Sequence, residues 1–235
     1  MDAAESPAGD LTFLFSDIEG STVLLERLGP DRWTPILSRH RELLRAAWTA
    51  HGGSERSTEG DSFFVVFPDP AGAIGAAAAA QRALAAEPWP DALELRVRMG
   101  IHAGHAVLDP DGSYVGHDVH RAARITGAAN GGQVLVSEAT AERAIGRFPP
   151  GVALRPLGEH RLKDLRPERL ALLVIEGVPA IDTAIRSLDA RPNNLPTQLT
   201  TFVGRERELD EARDLLGRAR LLTITGPGGT GKTRL

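Results

Sequence analysis

The protein has 235 residues, of which 42% are hydrophobic and 25% charged, as in a globular protein of one domain with a remainder. Its net charge of −4 lacks the basic excess that a duplex-binding domain usually needs, so we expect this chain to make no direct contact with nucleic acid. It contains no cysteine, which excludes disulfides, thiolate zinc sites and a cysteine nucleophile.

The N-terminal residues, MDAAESPAGD, are acidic where a signal peptide needs a basic segment and an apolar run. The most apolar stretch, Ala71–Ala86, contains Gln81 and Arg82 and is shorter than the roughly 20 strongly apolar residues of a membrane span. We therefore expect a soluble, cytoplasmic protein that has no membrane partner.

The chain opens with a predicted strand and two helices. Leu11–Phe15 (LTFLF) is a short apolar run before the polar SDIEGST, as in a buried strand that leads through a turn into a helix. Apolar residues then recur with a helical period over Asp31–Ala50, and the Gly52-Gly53 pair is a plausible end of that helix.

A hairpin and a further helix follow. Extended runs around Glu55 and over Ser62–Phe67 flank the turn-forming TEGD, which places Asp61 near the hairpin tip. The alanine-rich segment Ala71–Ala86 predicts a packed helix, which Pro88 ends.

Leu93–Leu108 alternates as a strand does, and the turn-forming Asp109–Gly112 follows it. Val119–Ala128 then predicts a helix, and GGQVLVS a strand. This order of elements predicts an α+β sandwich in which helices cover a mainly antiparallel sheet.

The composition of the chain changes after Gly177. Residues 178–200 mix Pro, Asn, Asp and Thr without sustained periodicity, which predicts a linker after a first domain of residues 1–177. Residues 201–235 contain a helical patch (Glu206–Leu216) and an apolar strand (Leu221–Thr225). We interpret them as the N-terminal fragment of an α/β P-loop NTPase domain.

That interpretation depends on GPGGTGKT, Gly226–Thr233, which satisfies the P-loop pattern directly after a predicted strand. The loop's N–H groups would surround the phosphates of ATP, Lys232 would pair with the β and γ phosphates, and Thr233 would bind Mg²⁺. The alternative is a glycine-rich turn with a chance lysine. The nucleotide-binding candidates are Gly226, Gly228, Gly229, Gly231, Lys232 and Thr233.

Two aspartates suggest a metal site in the first domain. Asp17 follows a strand and precedes a helix start at Gly20, Ser21 and Thr22, where a carboxylate beside free N–H groups can hold a cation and a polyphosphate together. Asp61 would face Asp17 if their strands are neighbours, as two-metal phosphoryl chemistry requires. Singly, each aspartate is more often a turn or N-cap residue.

Five motifs carry a resemblance to a known family. FLFSDIEGST, TEGDSFFVVF, RVRMGIHAG, VGHDVHRAARI and GGQVLVS occur in the order and spacing of the class III adenylate and guanylate cyclase catalytic domain, over about Leu11–Gly177. LGEHRLKDL (Leu157–Leu165) resembles the closing strand segment of bacterial members. With TTFVGRERELDEARDLL before the P-loop, the whole chain resembles large actinobacterial-type, LuxR-like regulators that join a cyclase domain to an NB-ARC or AAA-like ATPase and a DNA-binding C-terminal domain.

The resemblance implies a ferredoxin-like, homodimeric enzyme that converts ATP into cyclic AMP and pyrophosphate with two Mg²⁺ or Mn²⁺ ions per site. It implies that Asp17, Asp61 and the Ile18 carbonyl bind these metals, while Arg124 from the other subunit stabilises charge on the α-phosphate. Without the resemblance, Arg124 would be interpreted as a solvated helix residue.

Three positions depart from the family pattern. His120 replaces the transition-state asparagine, and Ser57 and Ser113 replace the lysine and aspartate that select the base. The choice of ATP over GTP therefore remains open, and turnover is expected to be low. These departures favour an alternative function, in which a degenerate cyclase domain binds nucleotide or dimerises and thereby regulates an ATP-dependent transcriptional regulator.

Histidine pairs offer one more metal hypothesis. His102 and His105 lie three residues apart on a predicted strand, where such side chains point to opposite faces and cannot chelate one ion. His117 and His120 have a workable helical spacing, but the sequence suggests no third ligand.

Overall fold

A computed structural model of the protein describes residues 9–188, 206–219, 222, 223 and 225. The chain divides into two compact units, Met1–Arg191 and Pro192–Leu235. The first unit contains the strands β1 (Gly9–Ile18), β2 (Ser54–Glu59), β3 (Ser62–Phe67), β4 (Val97–Leu108), β5 (Tyr114–Val115), β6 (Val134–Ser137), β7 (Val152–His160) and β8 (Glu168–Ile175). Its helices are α1 (Ser21–Leu28), α2 (Pro30–Ala50), α3 (Pro70–Ala86), α4 (His117–Ala128) and α5 (Glu138–Arg143).

Seven strands form one sheet in the order β2-β3-β1-β4-β6-β8-β7, and the short β5 pairs with the end of β4. Every pairing is antiparallel except that of β4 with β6. The predicted α+β fold with a mainly antiparallel sheet is confirmed.

Helices cover both faces of the sheet, because alternate residues of each strand point to opposite sides. On one face, α2 and α3 pack on a core that includes Leu14, Phe63 and Met99. On the other face, α4 packs on two smaller clusters, of which Phe13 and Ile125 are members. Asp17 lies an even number of residues after Phe13 in β1, so both side chains point to the face of the sheet that α4 covers.

The predicted helices and the hairpin are confirmed, but the predicted strand Leu93–Leu108 begins only at Val97. Its partner explains the difference, since Val97 is opposite Ile18, the last residue of β1. Pro90–Ala92 form a short 3-10 turn ahead of it. The closing segment Leu157–Leu165 is a strand only to His160, and β8 and α5 lie outside the predicted set.

Residues 178–188, which we call the strap, pack against the rest of the first unit. The buried side-chain amide of Gln133 donates to the carbonyl oxygens of Ile181 at 3.0 Å and Thr183 at 2.7 Å, and Ile185 is buried. The compact unit therefore extends beyond Gly177, where the sequence predicts a domain boundary. The strap is held by hydrogen bonds of irregular backbone, so it has no periodicity that the sequence could reveal.

In the second unit, the predicted helix is present as α6 (Glu206–Leu216). Of the predicted strand Leu221–Thr225, residues 222, 223 and 225 are described and lie in no regular element. The P-loop candidates Gly226–Thr233 lie outside the described residues. Within the described residues, no helix has the length and apolar character needed to cross a membrane.

Candidate active site

The end of β1 and the β2–β3 turn bring two aspartates together. β1 and β3 are antiparallel neighbours, with Ser16 opposite Phe63, so Asp17 lies beside the turn that carries Asp61. The backbone N–H of Ile18 donates to Asp61 Oδ2 at 2.8 Å, and the two carboxyl groups lie close enough for each to shift the pKa of the other. The pair singled out in the sequence therefore forms one cluster.

Both oxygens of Asp17 have donors. Ser62 Oγ donates to Oδ1 at 3.0 Å, while Arg98 Nε donates to Oδ2 at 2.9 Å and Arg98 Nη2 contacts the same oxygen. Arg98 is opposite Asp17 in the β1–β4 register. Sequence reasoning missed Arg98, although it lies within the RVRMGIHAG motif, because only strand pairing places it here.

The two carboxyl groups differ in acidity. Burial raises the pKa of Asp61, and the neighbouring Asp17 raises it further. Burial also acts to raise the pKa of Asp17, but the hydrogen bonds and charge of Arg98, with Asp61 and Ser62, together outweigh it and lower that pKa. The two carboxylates thus carry more negative charge than Arg98 readily balances. The atoms that they offer to a cation are all oxygen. This chemistry fits a hard divalent cation.

The start of α1 lies next to the aspartates. Gly20 has the left-handed conformation (φ 70°, ψ 26°) that glycine adopts without strain, and it directly precedes the helix at Ser21. Among the described residues no side chain caps this end of α1, and Ser21 lies close enough to Asp61 to act against the rise in its pKa. Gly20, Ser21 and Thr22 therefore present a helix N-terminus beside the carboxylates, which suits phosphate oxygens.

The structure places His120 and Arg124 on α4. Arg124 Nη2 donates to Asp164 Oδ2 at 2.9 Å, and Asp164 has a positive φ of 62° in the loop after β7. His120 is exposed. Among the described contacts, neither side chain touches Asp17 or Asp61.

A partly buried polar cluster fixes the first half of α4 to the sheet. Asp118 accepts a hydrogen bond from the His105 N–H at 2.8 Å and an ion pair from Arg121 at 2.8 Å, and His102 Nε2 lies 3.3 Å from its carboxylate. Burial lowers the pKa of His102 despite the nearby Asp118, and Ser137 Oγ lies 2.8 Å from His102 Nδ1.

The expectation that His102 and His105 point to opposite faces is confirmed, since His102 is buried and His105 is exposed. Within the described part of the chain, no group of three or more His, Cys, Asp or Glu side chains could hold a metal. A cation at Asp17 and Asp61 would therefore need further oxygen ligands, such as the Ile18 carbonyl and phosphates.

The two serines at the expected base-contact positions are both exposed. Ser57 is opposite Phe64 in the β2–β3 pairing, so both side chains lie on one face of the sheet. Phe64 stacks on Phe15 with ring centroids 4.4 Å apart and planes 6° apart. The N–H of Ser113 donates to Asp109 Oδ1 at 2.8 Å, in the turn before β5.

Comparisons with known proteins agree with this architecture. Residues 4–169 match the family described as the adenylate and guanylate cyclase catalytic domain. An uncharacterized protein of Mycobacterium tuberculosis is 35% identical over 207 residues, which cover 86% of this chain and 70% of that protein.

Two further similarities link the chain to proteins with a named activity. An adenylate cyclase of Lachancea kluyveri is 34% identical over 155 residues, which cover 56% of this chain and 8% of that protein. A solved structure of adenylate cyclases from Trypanosoma brucei in their monomeric state is similar, with a TM-score of 0.68 and 27% identity. It covers 79% of this chain and 97% of the solved chain.

Proposed function

This chain belongs to the family of adenylate and guanylate cyclase catalytic domains, and we propose that it is an adenylate cyclase whose active sites form between two copies of the chain. Membership makes it a nucleotidyl cyclase. The proposal adds the substrate ATP, the products cyclic AMP and pyrophosphate, two Mg²⁺ or Mn²⁺ ions per site, and the homodimer.

The close approach of Asp61, which accepts a hydrogen bond from the residue after Asp17, to the Asp17 carboxylate is the observation that carries the proposal. Together with the Ile18 carbonyl they would hold the divalent cations, because hard cations prefer oxygen ligands. Bound there, the cations would neutralise phosphate charge and make the attacking oxygen more nucleophilic. The raised pKa of Asp61 supports this role, since a cation would relieve the repulsion from Asp17 that contributes to it.

The triphosphate is expected to lie between the start of α1 and Arg98. The N–H groups after Gly20 and the hydroxyl groups of Ser21 and Thr22 are donors for phosphate oxygens. Arg98 offers a planar fork of donors that matches phosphate geometry. It currently holds Asp17, so we expect its guanidinium to exchange this carboxylate for phosphate when the site fills.

The reaction forms a bond between the 3′ oxygen and the α-phosphorus and breaks the bond from that phosphorus to the pyrophosphate oxygen, while the 3′ proton passes to solvent. Arg124 would stabilise the charge that develops on the α-phosphate, and His120 would donate a hydrogen bond. Because Arg124 contacts Asp164 and not the aspartate pair of its own chain, a complete site calls for α4 of a second copy.

The preference for ATP is supported by the relatives named adenylate cyclase. Ser57 shares a sheet face with the stacked Phe15 and Phe64, and a purine edge could accept or donate a hydrogen bond at its hydroxyl group. Ser113 is proposed as the second base contact. GTP is the competing substrate.

A second candidate function is a regulatory module that binds nucleotide or dimerises without turnover, and it is favoured by His120, Ser57 and Ser113, which lack the family's side chains. In both candidate functions, the state of this domain would influence an ATPase that begins within residues 201–235. The P-loop residues named above would bind ATP and Mg²⁺ there, and contact with DNA would belong to a further domain.

The deciding experiment incubates the purified chain with ATP or GTP and Mn²⁺ or Mg²⁺ and detects cyclic product by chromatography. We expect cyclic AMP, and we expect Asp17→Ala and Asp61→Ala to abolish it, whereas Asp111→Ala, at an exposed turn aspartate, should retain it. Nucleotide binding of micromolar affinity without product would favour the regulatory module.

A mixing experiment tests the shared site. Asp17→Ala and Arg124→Ala chains should each be inactive or nearly so. Mixed and allowed to exchange subunits, they should recover about a quarter of wild-type activity, since about half of the dimers are mixed and each has one intact site. No recovery, despite dimers in sedimentation, would contradict the proposed division of residues between subunits.

A further inference from the structure

We propose that Arg186 is a positioning residue that ties the loop after β1 to the end of α4. These two elements carry the two groups of residues that the proposed cyclase site needs, so the inference rests on that function and deepens it. Arg186 belongs to the strap, which the sequence alone presents as linker.

The strap is joined along its length to the rest of the first unit. Asn130 Nδ2 donates to the Ala184 carbonyl at 2.9 Å, and the N–H of Leu188 donates to the Arg161 carbonyl at 2.9 Å. With the two bonds from the buried Gln133, these contacts hold the backbone on both sides of Arg186. Arg186 therefore projects from a fixed segment.

Arg186 makes three contacts with two separate elements. Its N–H donates to the carbonyl of Ala128, the last residue of α4, at 2.7 Å, and its Nε donates to Asn130 Oδ1 at 2.9 Å. Its Nη2 forms an ion pair with Glu19 Oε1. The backbone of Arg186 thus holds the last residue of α4, while its guanidinium bridges Asn130, just after that helix, and Glu19, the residue that follows Ile18.

Glu19 transmits this contact to the proposed metal ligands. Its N–H donates to the Arg96 carbonyl at 2.9 Å, and its side chain packs so closely on Gly131 that a Cβ at Gly131 would lie 2.8 Å from Glu19 Cβ. Glu19 is adjacent to Ile18 and two residues from Asp17. A shift of Glu19 would therefore move the Ile18 carbonyl and the Asp17 carboxylate.

The contacts with α4 act on the helix that carries His120 and Arg124. The last carbonyl groups of a helix have no partner within it, and a positive charge is favourable at that end. The backbone N–H of Arg186 supplies a donor there, and its guanidinium, bonded to Asn130 just after the helix, supplies the charge. In the proposed dimer the two elements serve opposite active sites, so each Arg186 would brace half of one site and half of the other.

Hydrogen exchange tests the bridge without reference to catalysis. In Arg186→Ala we expect amides of residues 16–22 and of residues 126–130 to exchange at least several-fold faster. The control is Asp182→Ala, which removes another exposed ion pair of the strap, Arg155–Asp182 at 2.7 Å, but touches neither Glu19 nor α4. Unchanged exchange in either segment, or equal acceleration in the control, would overturn the proposal.

The catalytic arm measures cyclic AMP formation by the same chains. We expect Arg186→Ala to lower kcat about tenfold with a change in KM of less than about threefold, and Arg186→Lys to restore little, because one ammonium group does not reproduce the fork. Asp182→Ala should stay near wild type. If the wild-type chain makes no product, the proposed function fails while hydrogen exchange still decides the bridge.

Subunit mixing identifies which half-site Arg186 supports. When the Arg186→Ala chain is mixed with the Arg124→Ala chain, the one intact site of a mixed dimer uses α4 of the Arg186→Ala chain. When it is mixed with the Asp17→Ala chain, the intact site uses the Asp17 loop of the Arg186→Ala chain. The Asp17→Ala and Arg124→Ala mixture is the reference. We expect both Arg186→Ala mixtures to fall well below it, and full recovery in either mixture would show that Arg186 supports only one half.

Discussion

The free energy of unfolding should depend on pH through His40, a fully buried histidine of α2. Its ring packs on Phe63 at a centroid distance of 5.9 Å, and neither ring nitrogen has a hydrogen-bond partner among the described residues. Burial, with a smaller contribution from the charge of Arg41, lowers the pKa of His40 from 6.5 to about 4, against an opposing effect of Asp17.

The sign and size of the effect follow from proton linkage. Between about pH 6.5 and 4 the unfolded chain binds more protons at this site than the folded chain, so stability is present above this window and is lost as the pH falls through it. Each pKa unit corresponds to about 1.36 kcal/mol. The displacement of the His40 pKa from 6.5 to about 4 thus corresponds to about 3 kcal/mol at the acidic end.

His40→Leu removes both the titrating group and its unpartnered nitrogens. We expect this variant to be at least as stable as wild type at pH 7.5, and to lose about 3 kcal/mol less than wild type by pH 4. Urea unfolding followed by circular dichroism at several pH values measures the difference. His117→Gln, at an exposed position of α4, should follow wild type. If His40→Leu also followed wild type at every pH, the reasoning would be refuted.

Three further predictions concern the site and the helix beside it. Gly100→Ala should destabilise the fold by about 3 kcal/mol, because its Cβ would lie 2.4 Å from the backbone nitrogen of Thr126. In Gly127→Ala the new Cβ meets no described atom within 4 Å, so this variant should instead stabilise the fold by about 0.5 kcal/mol. Urea unfolding measures both changes. Asp61→Asn should raise the melting temperature in chelator by roughly 2 °C, since it removes a like-charge contact, and should eliminate the further rise that Mn²⁺ gives the wild type; a lower melting temperature in chelator would contradict the charge argument. His120→Asn should increase kcat for cyclic AMP about tenfold or more if only hydrogen-bond geometry limits turnover, whereas a fall would assign the histidine a role of its own.

Much of the fold follows from local pattern. The helical period of α2, the alanine run of α3 and the turn between β2 and β3 are properties of neighbouring residues, so the sequence predicts these elements and places Asp61 at the hairpin tip. The motif around Asp17 likewise predicts its local structure, a strand that leads into a helix. The ends of β4 and β7 are less predictable, because a strand ends where its partner ends.

The composition of the site depends on contacts between distant residues. Arg98 reaches Asp17 across the β1–β4 pairing, and Arg186 reaches Glu19 over a separation of 167 residues. Neither residue has a local pattern that marks it, since a surface arginine and a contact arginine look alike in sequence. Most of the secondary structure and the aspartate motifs can be predicted from the sequence, because they depend on short-range sterics and on the period of apolar residues. The tertiary structure alone decided which charges meet, because strand order and the course of the strap are set by packing the whole sheet.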